Sequence, residues 1–203
     1  YEYESCRACG RRMVVENQCV PGCMAGQVYH AGEEKCMEPE CVTSRDCGIG
    51  SGEYCELDSS QNDSSCTEAP TYGKCVSISG TQKYVSGVGT YQRSNSEMNW
   101  WSAQNYCEAI GGRMATVADF GCGYDYVAAD EMGYCNTDAT TSNKGTRSAN
   151  MVAFQTAFGE SGYWTSDSDD ACDAYYVGLD DGFVGPNGRG YGNDDYALCR
   201  VGD

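Results

Sequence analysis

The chain is poor in the groups that most enzymes and nucleic-acid binders depend on. It has one histidine (His30), four prolines, and 13 basic residues against 30 acidic ones, for a formal net charge of −17. So few cations leave no basic stripe for phosphates, which argues against nucleic acid as a partner. No run of about 18 apolar residues is present, so no segment reads as a span of a membrane. The first residues, YEYESC, carry no secretory signal and read as a mature or trimmed form. His30 sits in the turn-like VYHAGEE, apart from any nucleophile, and reads as a lone surface side chain. Paired carboxylates are plentiful, but they fall in Gly-rich loops that would not hold a raised pKa. These absences predict a protein that is not an enzyme.

Residues 1–76 also have few Leu, Ile or Phe, too few for a large core. What they have is cysteine, ten of the fifteen in the chain. In an acidic chain this density points to disulfides and an oxidising, extracytoplasmic compartment. Zinc is the competing reading, because Cys6, Cys9, Cys19 and Cys23 have knuckle-like gaps. The irregular spacing of Cys36, Cys41, Cys47, Cys55, Cys66 and Cys75 favours disulfides, with connectivity left open. Small cross-linked modules are expected near 1–36 and 41–75, and CVTSRDCGIGSGEYC (Cys41–Cys55) resembles small secreted disulfide-rich modules. Asn62–Ser64 fits a glycosylation acceptor. The predicted role of 1–76 is a stalk or set of small modules. A boundary near Tyr72–Ser79 separates it from a second domain at 77–203.

The second part reads differently. Trp100, Ala103, Cys107 and Ile110 recur at helical spacing, with Tyr106 widening the face. Asn99 or Ser96 can cap this helix, and Gly111–Gly112 can end it. RMATV then alternates, with Met114 inward. SANMVAFQTAFG fits a second helix with Met151, Phe154 and Phe158 on one face. GYWTS, AYYVGL and YALCRV read as short strands, and DGFVGPNGRG has hairpin-turn chemistry. Two helices followed by a small antiparallel sheet make an α+β class.

WWSAQNYCEAIGGRMATV, followed by YWTS and ALCR, resembles the C-type lectin-like domain over roughly 84–203. That resemblance implies a Cys107–Cys199 bond between the first helix and the last strand, with an irregular cysteine-rich region ahead of it. A loop of that length contributes about 4–5 kcal/mol in the chain-entropy model. The compact ending resembles bacterial members of the family, some carried on pilin-like appendages and some diversified by retroelements. GPN at Gly185–Asn187 and GNDD at Gly192–Asp195 depart from the family's calcium-dependent sugar motif.

Residues 161–196 are dense in Tyr, Asp, Asn, Ser and Gly, a composition suited to an adaptable recognition surface. The expected ligand contacts are Tyr175, Tyr176, Asn187, Tyr191, Asn193 and Tyr196. Calcium is the candidate metal, with Asp194 and Asp195 joined by Asn187 or Asn193 as preferred ligands. Cys122–Cys135 is the expected second bridge, and Cys135–Cys172 is the alternative. Under the first pairing Cys172 is free, joined across domains, or joined to another subunit. Two functions follow from this reading. One is an extracellular or cell-surface recognition protein for a protein or glycan ligand. The other is self-assembly as a subunit of an extracellular, pilin-like filament.

Overall fold

The computed structural model describes residues 12–15, 18–21, 27–30, 35–58, 72–122, 133–134, 136–137, 146–168, 172–189 and 194–202. Three antiparallel hairpins come first: β1 (Arg12–Val15) with β2 (Gln18–Pro21), β3 (Val28–His30) with β4 (Lys35–Met37), and β5 (Glu53–Leu57) with β6 (Gly73–Ser77). Next are β7 (Gly80–Val85), β8 (Gly89–Met98), helix α1 (Trp100–Ala109), β9 (Arg113–Met114) and a 3-10 turn, Val117–Phe120. Then follow β10 (Gly133–Tyr134), β11 (Asn136–Thr137), β12 (Thr146–Arg147) and helix α2 (Ala149–Phe158). The last four strands are β13 (Gly162–Ser168), β14 (Asp173–Gly178), β15 (Phe183–Gly188) and β16 (Asp195–Arg200).

This architecture corrects the expected fold class. The described residues are mostly β, with only two helices of ten residues each. The main sheet is neither small nor purely antiparallel. It has eight strands in the order β10-β15-β14-β13-β16-β8-β7, with β9 also on β16, and β13 runs parallel to β16. A two-helix α+β domain of the C-type lectin-like kind is not what the chain builds. Among its described residues the cysteine-rich part, expected to be mostly irregular, carries three hairpins.

Strand β8 shows why so much β structure was missed. Its buried residues are Tyr91, Ser94 and Met98, spaced three and four apart where a regular strand would alternate. Arg93 pairs with Leu198 and Glu97 with Tyr196, so β8 holds two more residues than its partner in that interval and bulges. Ser94 repairs the interrupted ladder: its hydroxyl accepts from Ala197 N–H at 3.0 Å and donates to Ser96 O at 2.8 Å. DGFVGPNGRG, expected as turn, contains β15, because five consecutive pairs with β14 outweigh the local Gly, Pro and Asn preferences.

Two apolar clusters flank the sheet. Successive strand residues point to opposite faces, and Tyr163 belongs to one cluster while Trp164 belongs to the other. The first cluster gathers Phe120, Met151, Phe154 and Tyr91 under α2, with Phe154 edge-on to the Tyr91 ring at 4.8 Å. The second gathers Trp100, Ala103, Tyr106, Cys107 and Met114 from α1 and β9. Asn99 is the cap of α1, accepting from Ser102 N–H at 2.9 Å, and Gly111 follows the helix at φ 73°. The indoles tie the layers: Trp100 Nε1 donates to Thr165 O and Trp164 Nε1 to Met98 O, each at 2.8 Å.

Cys107 and Cys199 are bridged, 92 residues apart. Cys41–Cys55 and Cys47–Cys75 are also bridged. Cys36, Cys122 and Cys172 are disulfide-bonded too, so Cys172 is not the free thiol that one reading allowed. Cys135, named in both alternative pairings, lies outside the described residues, as do Asn62–Ser64 and the side chains of His30 and of the zinc-like set Cys6, Cys9, Cys19 and Cys23. No helix among the described residues is long and apolar enough to cross a membrane.

Candidate functional site

The site grows from the start of β16. Asp195 pairs with Met98 of β8 and lies against Gly162 of β13. A Cβ at 162 would meet its carboxylate, which keeps this position only beside a glycine. From the other side the end of β15 is drawn in. Trp100 N–H donates to Arg189 O at 3.1 Å, and the Arg189 guanidinium lies 4.5 Å over the Trp100 ring and 5.5 Å from that of Trp101. This anchoring brings Asn187 within reach, and its side chain hydrogen-bonds Asp195.

Burial, with the charge of Glu97 and then Asp194, pushes the Asp195 carboxyl up to about 6, and the Asn187 contact opposes the shift. A raised pKa of this kind was not expected of a loop carboxylate. It arises because Asp195 is in a strand, backed by Gly162 and set between like charges. Tyr176 shares the environment: burial, followed by Asp195, Asp181 and Asp180, raises its hydroxyl. Its ring stands 5.5 Å from that of Phe183.

This acidic face continues into a cavity of about 270 Å³ between the β5–β6 hairpin and the junction of β8 with α1. Glu56, Asp58, Glu97 and Asp194 line it, with Lys74 and Tyr72. Its wall is rigid, because the hairpin is bonded to the helix. Leu57 N–H donates to Ser102 Oγ at 2.9 Å, and Asn99 Nδ2 donates to Leu57 O at 2.6 Å. Ser44 Oγ donates to Asn105 O at 2.8 Å, and Tyr54 packs edge-on against Tyr106 at 5.3 Å. A second cavity, about 330 Å³, lies beside Trp100, Cys107 and Met114. Its one cationic lining group, Arg113, is committed to Asp119 at 2.9 Å.

The structure thus groups Tyr176, Asn187, Asp194 and Asp195 from among the sequence-derived candidates. Tyr175 does not join them: it is 3% exposed and belongs to the cluster under α2. Tyr196 is half-buried, with the Arg93 guanidinium 4.9 Å over its ring and Tyr163 beside it. Tyr191 and Asn193 lie outside the described residues. Sequence reasoning missed Glu97 and the hairpin acids Glu56 and Asp58. These come from distant segments, and only β8–β16 pairing and the docking of the hairpin bring them near Asp194. The grouped side chains offer hard oxygen donors, suited to calcium or to the ammonium and guanidinium groups of a ligand. Comparison of the chain with family models, with curated proteins and with solved structures found no match.

Proposed function

We propose that the chain is an extracellular recognition protein that binds a basic protein ligand through the acidic face around Asp195 and the adjoining cavity. The observation that carries this reading is the grouping of Glu97, Asp194, Asp195 and Asn187 beside an acid-lined concavity whose wall is held by hydrogen bonds. A rigid polar recess of one charge sign favours complementary partners and speeds encounter with them. The disulfides support an oxidising location. Within the same reading, a glycan is the alternative ligand class, reached through calcium on these oxygen donors.

Binding of the purified chain to protein and glycan arrays, with and without a chelator, tests the proposal. Expected is saturable, chelator-insensitive binding to basic proteins, weakened by salt and reduced at least tenfold in Glu97→Gln/Asp195→Asn. Glycan binding abolished by the chelator would move the reading to the calcium-bridged class, and unchanged binding by the variant would remove the acidic face from it.

A second reading, a filament subunit, has one feature in its favour. β7 ends the sheet as a six-residue strand with five exposed residues, and Tyr84 is 70% exposed. Exposed strand edges are templates for pairing between copies. Concentration-dependent sedimentation that is lost in Tyr84→Lys would favour assembly.

A further inference from the structure

Four strands surround Asp195, and the charges they bring to it are of its own sign. Glu97 comes from β8, whose next residue, Met98, is the register partner of Asp195. Asp194 precedes it in the chain and lines the cavity with Glu97, Glu56, Asp58 and Lys74. From β14 comes Tyr176, itself under the charge of Asp195, Asp181 and Asp180. From β15 comes Asn187, whose amide donates to the carboxylate. β13 contributes Gly162, and its next residue, Tyr163, belongs to the cluster under α2.

The cations of the adjoining segments are engaged elsewhere. Arg189 lies over the Trp100 ring and donates to Ser168 Oγ. Arg93 lies over the Tyr196 ring and donates to Phe158 O. Lys74 is the cross-strand partner of Glu56. The charges that act on Asp195 are therefore those of Glu97 and Asp194. A half-buried carboxylate so placed is relieved in one of two ways, by a proton or by a cation. The two exclude each other, because a neutral carboxyl no longer attracts an ammonium or guanidinium group. Burial and the two like charges bring the proton's turn to about pH 6, where ordinary carboxylates are still ionised.

We infer that the acidic face is a proton-gated binding surface. At neutral pH Asp195, Glu97 and Asp194 together hold a cationic group of the ligand. On mild acidification one proton taken up at Asp195 replaces that charge, and the ligand is released. This gate rests on the basic-ligand reading of the face and adds its regulation. The sign follows from linkage: the bound state holds fewer protons than the free site, so affinity is complete above the free site's titration and falls below it. One exchanged proton weakens binding by about tenfold between about pH 7.5 and about pH 5.

Fluorescence anisotropy of a labelled oligolysine peptide, titrated with the full chain at constant ionic strength across that range, reads the exchange. The expected result is the tenfold loss. Glu97→Gln should move the midpoint of the loss to lower pH, because a repulsion that favours the proton is gone. Asp195→Asn should bind weakly and equally at both ends of the range. His30, the one histidine of the chain, belongs to the residue type that titrates in the same window, so His30→Gln is the control and should keep the full loss. Saturable binding that is unchanged on acidification overturns the gate and leaves the acidic-face reading standing. Absence of saturable binding at every pH overturns both. A loss that persists in Asp195→Asn, or vanishes in His30→Gln, places the proton elsewhere and overturns the gate alone.

Discussion

In residues 41–77, two bridges surround a cluster whose buried members are Cys41, Cys55 and Leu57, with Trp101 of α1 lent to it from outside. In the eight-stranded sheet the one bridge with both cysteines described, Cys107–Cys199, joins layers already filled by Trp100, Tyr106, Met114 and Trp164. The hairpin is held by covalent closure and borrowed cover, the sheet by burial. The cysteine-rich composition of the early sequence therefore reports how that part is stabilised. It does not make the β5–β6 hairpin a separate body, since Tyr54 sits in the same cluster as Trp100 and Trp164.

Four experiments probe this contrast. Phe154→Ala empties the space between Tyr91 and Phe120 and should cost about 3–5 kcal/mol in urea unfolding. If amide exchange at β5 and β6 accelerates along with that at β13 and β16, hairpin and sheet are one cooperative unit. Acceleration in the sheet alone would separate them. Cys107→Ala/Cys199→Ala should cost about 2–5 kcal/mol while leaving near-UV dichroism native, because the layers it joins are packed without it. A molten spectrum would show that the sheet too depends on its bridge.

Asn99→Ala removes the cap of α1 and the bond to Leu57 O together, for about 2 kcal/mol. Its distinguishing effect is faster exchange at Leu57 than at β13. The smallest effect is expected at Asp195. Its folded pKa of about 6 lies above the ordinary carboxylate value near 3.9. The folded state therefore binds more protons, and stability falls as pH rises through the window from about 4 to 6. Asp195→Asn should remove that slope and raise stability at pH 7 by about 1 kcal/mol, after allowance for solvent screening. Melting temperatures across that window check both; an unchanged slope would mean Asp195 is not the group responsible.

What the sequence reveals follows how local the interactions are. Helix α1 is legible because its cap Asn99, its buried face of Trp100, Ala103 and Cys107, and its terminator Gly111 lie within one short stretch. Helix α2 is legible for the same reason, through Met151, Phe154 and Phe158. β8 is not, because its bulge breaks the period of two and Ser94, a polar residue, occupies a core position to serve the backbone of β16. β15 hides under turn-forming residues that only pairing with β14 overrides. At the candidate site, composition pointed to Asn187, Asp194 and Asp195. It could not separate Tyr175 from Tyr176, whose opposite faces depend on register, or supply Glu97 from a strand far upstream.

One feature of the sheet bears on how the molecule is made. β16 is inserted between β13 and β8, although it is the last strand in sequence. During synthesis β8 can form its hairpin with β7, but its other edge stays open until residues 195–200 have left the ribosome. Long-range closure of this kind is slow and exposes an unpaired edge in the meantime. Cys107 waits over the same interval, surrounded by earlier cysteines with which it could wrongly pair. Correct oxidation must therefore follow arrival of the final strand or be reached by thiol exchange afterwards, so the yield of native protein should depend on how fast its surroundings reshuffle disulfides.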